Sequence, residues 1–150
     1  MQRREMLKAV AGTVAIAMTA SVMAATETHE HHHEHGATDG KDFAGLVNTS
    51  ADCLKTGEAC LAHSITLLSQ GDKEMAACAQ SVSELLATCD ALMKLAAQKS
   101  KFTPAMAKVT AEVCASCEKQ CRKYEDVHAE CKDCADACAA CVKECNAIAA

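Results

Sequence analysis

Twelve of the 150 residues are cysteines: Cys53, Cys60, Cys78, Cys89, Cys114, Cys117, Cys121, Cys131, Cys134, Cys138, Cys141 and Cys145. A thiolate is a nucleophile and a soft anionic ligand, so a chain this rich in thiols can run redox chemistry, form cross-links or hold soft metal ions. The last eight fall into two runs, Cys114-x-x-Cys117-x-x-x-Cys121 and Cys131-x-x-Cys134-x-x-x-Cys138-x-x-Cys141-x-x-x-Cys145. Steps of three and four are the period of one helix face. Weaker donors stand apart: His63, Met75, Tyr124 and His128, and a dense patch of His29, His31, His32, His33 and His35 among Glu27, Glu30 and Glu34.

The elements that must carry these thiols are helices. Trp is absent, Tyr occurs once and Phe twice, so any core is filled by Leu, Val, Ile, Ala, Met and the cysteines themselves. One Pro and six Gly supply little for the turns of a sheet protein, and an all-α fold is expected. A net charge of -5 gives no electrostatic support to a nucleic-acid partner. From Phe43 onward the chain is helix-compatible with two interruptions. Ser69-Gln70-Gly71-Asp72 offers a C-terminal Gly and an Asp N-cap, and Thr103-Pro104 offers a cap followed by Pro at the first helical position. The expected helices are 43–70, 72–99 and 103 onward.

As a single rod the last stretch would be about 70 Å long. The cysteine phase slips between Cys121 and Cys131, which places a turn near Glu125-Asp126 with Asp126 as N-cap. The result is an up-down four-helix bundle over residues 43–150. At 100° per residue each helix confines its cysteines to a stripe about 20° to 80° wide. Those stripes coincide with the apolar slots marked by Leu46, Leu61, Leu67 and Leu68 on the first helix and Val82, Leu85, Leu92 and Met93 on the second. The thiols therefore point into the core. His63, Met75, Tyr124 and His128 gather at the end holding the Gly71 and Glu125 turns, and Leu46, Leu95, Phe102, Met106 and Ile148 close the other end.

Buried cysteine can be a mere small hydrophobe, but volume alone does not require a strict three-four repeat. Disulfides suit an oxidising compartment. Helical neighbours, however, hold their Cβ atoms about 5–6 Å apart, wider than the roughly 3.5–4.5 Å of a disulfide. Zinc asks for four ligands around one point, usually with two from a knuckle turn, and iron-sulfur clusters are usually wrapped by loops. A helical Cys-x-x-x-Cys, as in Cys117/Cys121, Cys134/Cys138 and Cys141/Cys145, can grip Cu(I) nearly linearly, and ligand counting allows about six to about twelve such ions. His63, Met75 and His128 at the mouth can pass the ion inward. A thiol-rich scavenger of other soft metals, a redox buffer and a disulfide-stapled bundle are the competing readings.

Residues 1–24 read as an address. Arg3-Arg4, Leu7 and Lys8 precede an uncharged run of small apolar residues that ends near Val22-Met23-Ala24, the pattern of a twin-arginine export signal. Export to the periplasm or another extracytoplasmic space is expected, with no membrane association after cleavage. Residues 25–42 have no apolar periodicity and read as a His-rich disordered tail able to chelate metal.

Cys53-Leu-Lys-Thr-Gly-Glu-Ala-Cys60-Leu-Ala-His63, Met75-Ala-Ala-Cys78 and the two long cysteine runs resemble the bacterial copper storage proteins, in particular their exported branch. The resemblance spans Phe43 to Ala150. It implies a four-helix bundle, usually a homotetramer, that binds many Cu(I) ions through core cysteines, catalyses nothing, and supplies copper enzymes such as a methane oxidase. His63 and Met75 match mouth ligands of that family, whereas Leu67 and Gln70 add no further thioether there.

Overall fold

The computed structural model describes residues 42–149, so the expected export signal and all but the last residue of the His-rich tail lie outside the described residues. Four helices follow one another: α1 (Ala44–Ser69), α2 (Ala76–Ala97), α3 (Thr103–Cys121) and α4 (Ala129–Ala149), with a single 3-10 turn, Lys73–Met75, leading into α2. α1 packs on α2 and α4, and α3 packs on the same two helices. This is the expected all-α, up-down four-helix bundle, with each helix antiparallel to its two neighbours. No described helix is long and apolar enough to cross a membrane.

The first two helices end in the same way. After α1, Gly71 takes φ 98°, its N–H donates to the Leu68 carbonyl at 3.0 Å, and the Asp72 N–H donates to the Leu67 carbonyl at 3.1 Å. That is the Schellman pattern, which needs a left-handed residue at the turn. After α2, Lys99 and Ser100 donate to the Ala96 and Leu95 carbonyls at 3.0 and 2.9 Å, with Lys99 at φ 50°. Lys99 accepts a backbone conformation that costs a residue with a Cβ about 1 kcal/mol.

Helix starts depart from expectation in three places. Asp72 does cap, its carboxylate accepting from the Glu74 N–H at 3.1 Å. It caps the 3-10 turn, and α2 begins only at Ala76. Thr103 does not cap α3: it is the first residue of the helix, fully buried, and its hydroxyl has no hydrogen-bond partner among the described residues. α3 nevertheless carries Pro104 in its first turn, where a missing N–H costs nothing. Asp126 does not cap α4, which starts at Ala129.

The break between α3 and α4 is longer than the cysteine phase suggests, running from Arg122 to His128 with neither Gly nor Pro. Two devices replace them. The Tyr124 carbonyl accepts from the Val127 and His128 N–H groups at 3.1 and 2.9 Å, and the His128 carbonyl accepts from the Cys131 and Lys132 N–H groups in the first turn of α4, both at 3.2 Å. Arg122 then ties the turn to both helices. Its guanidinium meets Glu118 on α3 at 3.3 Å, Glu125 in the turn at 2.7 Å and Asp136 on α4 at 2.7 Å.

The core is lined with thiols, with Val82 and Leu85 between the cysteines of α2 and carbon at the end opposite the Gly71 turn. Leu46, Met75, Val82, Leu85 and Leu92 are fully buried, each worth about 1.5–3 kcal/mol of apolar transfer. Gly57 lets α1 and α2 approach closely, since a Cβ there would meet the Leu86 Cδ2 at 2.9 Å. At the end opposite the Gly71 turn, the closure differs from expectation. Phe102 is 60% exposed and lies beneath the Lys101 ammonium, while Phe43, Leu46, Leu92, Ala96 and Ala107 are buried. Leu95, Met106 and Ile148 are only partly covered. Phe102 precedes α3 on the connection from α2, which lies outside the ring of helices.

Replacing Lys99 by Gly is expected to raise the stability of the metal-free protein by about 0.5–1 kcal/mol, and Gly71→Ala to lower it by about 1 kcal/mol. Chemical denaturation of the two variants under reducing conditions checks both signs.

Candidate metal centre

Helical register delivers the thiols. On α1 the inward positions are Leu46, Ser50, Cys53, Gly57, Cys60 and Ser64. On α3 they include Thr103, Ala107, Thr110, Cys114, Cys117 and Cys121. On α4 five of them are cysteines. All twelve cysteines are free thiols and all are fully buried. Because the helices alternate in direction, early residues of α1 meet late residues of α2 and α4, and the stripes merge into one column.

The column has a continuous internal order. Cys53, Cys89, Cys114 and Cys141, one from each helix, keep their sulfurs within 4.8 Å of one another. Three further groups at the same spacing are Cys117/Cys134/Cys138, Cys60/Cys121/Cys134 and Cys60/Cys78/Cys131. Cys134 and Cys60 each belong to two groups. Cys138 interacts with both Cys53 and Cys114, which joins the four-thiol group to the rest. Cys145 extends the column at one end, with its sulfur 3.8 Å from that of Cys141.

The nearest sulfur pairs lie 3.7–4.0 Å apart. With metal–thiolate bonds of about 2.3 Å, a straight S–metal–S unit needs about 4.6 Å and a trigonal one about 4.0 Å. The helical pairs Cys117/Cys121 at 3.9 Å and Cys141/Cys145 at 3.8 Å are therefore drawn for bent or three-coordinate binding. A linear grip requires each pair to spread by more than half an ångström. The four-thiol group also corrects the expectation about tetrahedral sites: four continuous helices can converge four thiols without a knuckle.

Thiols in contact divide the protons unequally. Cys53 is held down to about 5, chiefly by the Cys114 S–H and then by Cys138. Cys60, Cys78 and Cys117 are lowered first by Cys121, and Cys141 first by Cys114. Their partners move the opposite way. Cys121 and Cys134 are pushed up by Cys117, Cys131 by Cys60, Cys138 by Cys114, and Cys145 by Cys141 with burial added. A thiolate is stabilised by the S–H groups around it, and each donor is correspondingly harder to ionise. Protons are thus unevenly held along the column, and a soft cation can replace those that neighbouring sulfurs share.

At the Gly71 end the expected mouth residues do converge. The His63 Nε2 lies 3.1 Å from the His128 Nδ1, with the rings tilted edge to face at 4.7 Å. One ring nitrogen donates and the other accepts. Met75, in the 3-10 turn that leads into α2, is fully buried, one turn before Cys78. The Tyr124 hydroxyl donates to the Glu74 carbonyl at 3.0 Å, so the two turns at this end are tied directly together. Two participants were not foreseen: Glu130, whose carboxylate lies 3.8 Å from the His63 Nδ1, and Arg122, which fixes the turn carrying His128. The opposite spacing, Glu118-x-x-x-Arg122, is a helical ion pair readable in sequence. The reach of Arg122 to Asp136 is not, because it depends on where the turn ends.

Residues 39–150 match the family model described as "Csp: Copper storage protein". Among solved structures, the chain is similar to Cu(I)-bound copper storage protein BsCsp3, at 24% identity and a TM-score of 0.67, over 73% of this chain and 100% of that one. It is similar also to the metal-free copper storage protein 3 of Bacillus subtilis, at 24% identity and a TM-score of 0.62, over 71% of this chain and 97% of that one. These likenesses establish the shared bundle fold. No curated protein matches the sequence significantly.

With every sulfur buried, alkylation of the reduced, metal-free protein is expected to run at least tenfold slower than that of a free thiol. Twelve equivalents should react once denaturant is added. Mass spectrometry of the alkylated species distinguishes this from a protein with oxidised pairs, which would stop short of twelve.

Proposed function

Because the chain belongs to the copper storage protein family, we propose that it binds and stores multiple Cu(I) ions through the thiolates of its core column. The observation that carries this reading is the continuity of the column: eleven of the twelve buried thiols fall in four groups, two of which share Cys60 and two Cys134, Cys138 joins the four-thiol group to the rest, and Cys145 follows Cys141 at 3.8 Å. Sharing implies thiolates that bridge neighbouring ions. A soft d10 cation that accepts two or three sulfurs suits such bridging, whereas a single closed tetrahedral site does not need it. No catalytic step is proposed for the column.

His63, Met75 and His128 receive the ion at the mouth in this reading. Imidazole and thioether are neutral donors softer in grip than a thiolate, so they can bind Cu(I) briefly and release it inward. Export through the twin-arginine route, with storage in the periplasm or an equivalent space, rests on Arg3, Arg4 and the apolar run that follows. Assembly into a homotetramer and delivery to a copper enzyme rest on the family resemblance, and exposed Ile65, Val109 and Val127 supply apolar surface for self-association. A second reading, capture of Zn(II) at the Cys53/Cys89/Cys114/Cys141 group, is favoured by the four-thiol convergence alone.

Titration of the reduced protein with Cu(I) against a chromophoric chelator should reveal between about six and about twelve tight equivalents, accompanied by proton release in weakly buffered solution. Uptake of one or two ions would sink the storage reading, and Zn(II) displacing Cu(I) from a single site would favour the second. Cys60→Ser should weaken more than one equivalent, because Cys60 serves two groups. His63→Ala combined with Met75→Leu should slow loading or removal several-fold in stopped-flow traces while leaving capacity unchanged. Replacing Arg3 and Arg4 with Lys should abolish export, scored by fractionating cells that express the full chain.

A further inference from the structure

Hydroxyl side chains inside helices usually bond back to the preceding turn. Thr49, Thr56, Thr66, Ser83 and Thr88 each donate to the carbonyl four residues earlier at 2.9–3.1 Å. Even buried Ser81 donates to the Cys78 carbonyl at 2.9 Å. Four hydroxyls depart from this habit. Ser50, Ser64, Thr103 and Thr110 are all fully buried, and none has a hydrogen-bond partner among the described residues. An idle buried donor costs stability that Ala or Val would recover.

Two of these four lie level with a single thiol. Ser50 sits one turn before Cys53 on α1, Thr110 one turn before Cys114 on α3, and Cys145 one turn after Cys141 on the oppositely directed α4. Cys53, Cys114 and Cys141 share one group, so all three steps run about 4.5–6 Å toward the apolar end of the bundle. Leu92, one turn after Cys89 and fully buried, completes this layer. Cys145 thus ends the column with Cys141 as its sulfur neighbour, two hydroxyls at its level and carbon beyond.

We infer that Ser50 and Thr110 are hydrogen-bond donors reserved for the metal-loaded thiolate of Cys145 at the closed end of the column. The inference rests on the Cu(I)-storage reading. One Cu(I) between two thiolates carries a net charge of -1, and no Lys or Arg is buried among the described residues. A buried anion needs donors. Elsewhere in the column a thiolate can be shared by a second cation; at its last position that remedy is missing, and rotation of two free hydroxyls supplies it. Both residues act on Cys145 and are positioning residues, with the sulfur as ligand.

The test is the Ser50→Ala/Thr110→Val variant of the whole protein, titrated with Cu(I) against a chelator of graded strength. One equivalent should weaken about tenfold or more, with the remaining isotherm unchanged and the metal-free melting temperature equal to or above that of the parent. Cys145→Ser should lose the same equivalent. Thr110→Ser keeps a hydroxyl and should bind as the parent does. Thr103→Val, which removes an equally idle hydroxyl about 10 Å farther along α3 and beyond the last thiol, should change nothing. Isotherms of the double variant and parent that superimpose would overturn the inference, as would an equal loss in Thr103→Val. Should the double variant fail to fold, Ser50→Ala and Thr110→Val are read singly by the same criteria. A parent protein that takes up one or two ions overturns the storage reading first, and visibly so, since it fails before any variant is compared.

Discussion

A cysteine thiol has the bulk of a small apolar side chain and, once its proton is gone, the donor strength of a soft anion. The bundle uses both properties at the same twelve positions. In the metal-free state the sulfurs occupy the interior as packing atoms, fully buried and in van der Waals contact with one another at 3.7–4.0 Å. A core of Leu and Phe would be more cohesive, but it would have no ligands. A core of carboxylates or imidazoles would offer ligands and could not be buried without partners. Thiol is the side chain that satisfies both demands, and the scarcity of aromatic rings follows from it, since a ring at a column position would block several sulfurs.

Carbon packing has been moved to where sulfur is absent. Phe43, Leu46, Leu92, Ala96 and Ala107 gather at one end, while Val82 and Leu85 lie between the cysteines of α2. The helices are consequently anchored by ordinary hydrophobic burial independent of the metal, which lets the sulfur region change charge without losing the fold. At the other end polar chemistry takes over. Tyr124 links the α3–α4 turn to the Glu74 carbonyl, and Arg122 gathers three carboxylates around that turn. Together they hold His128 against His63 without a single Gly or Pro.

Periodicity carried the fold and the column from the sequence alone, because a three-four repeat of Cys over two helices admits one inward face. It also located the break after Cys121, although not its length. The turn from Arg122 to His128 is built by a long-range ion pair to Asp136 and by carbonyl sharing at Tyr124, neither of which has a local signature. Capping rules failed at Thr103 for a related reason: a Thr before Pro reads as a cap, but tertiary packing turned it inward as the first residue of α3. Phe102 misleads by its type, since an apolar aromatic suggests a core plug that its position on a connection denies it. The exchange of protons among thiols depends on distances across helices and was invisible before the bundle was assembled.

The two ends of the column differ in kind, and that asymmetry orders whatever the column contains. Carbon seals one end; imidazole, thioether and a tyrosine-tied pair of turns frame the other. Because the three three-thiol groups share Cys60 and Cys134, a cation can step among them by exchanging one sulfur at a time, never leaving sulfur coordination. With entry at the His63 and His128 end, as proposed, such a file has a single working end. Its contents would then behave as a stack, with the latest arrival the first to depart, so the residence time of an ion would be set by its depth in the bundle as well as by the strength of its bonds.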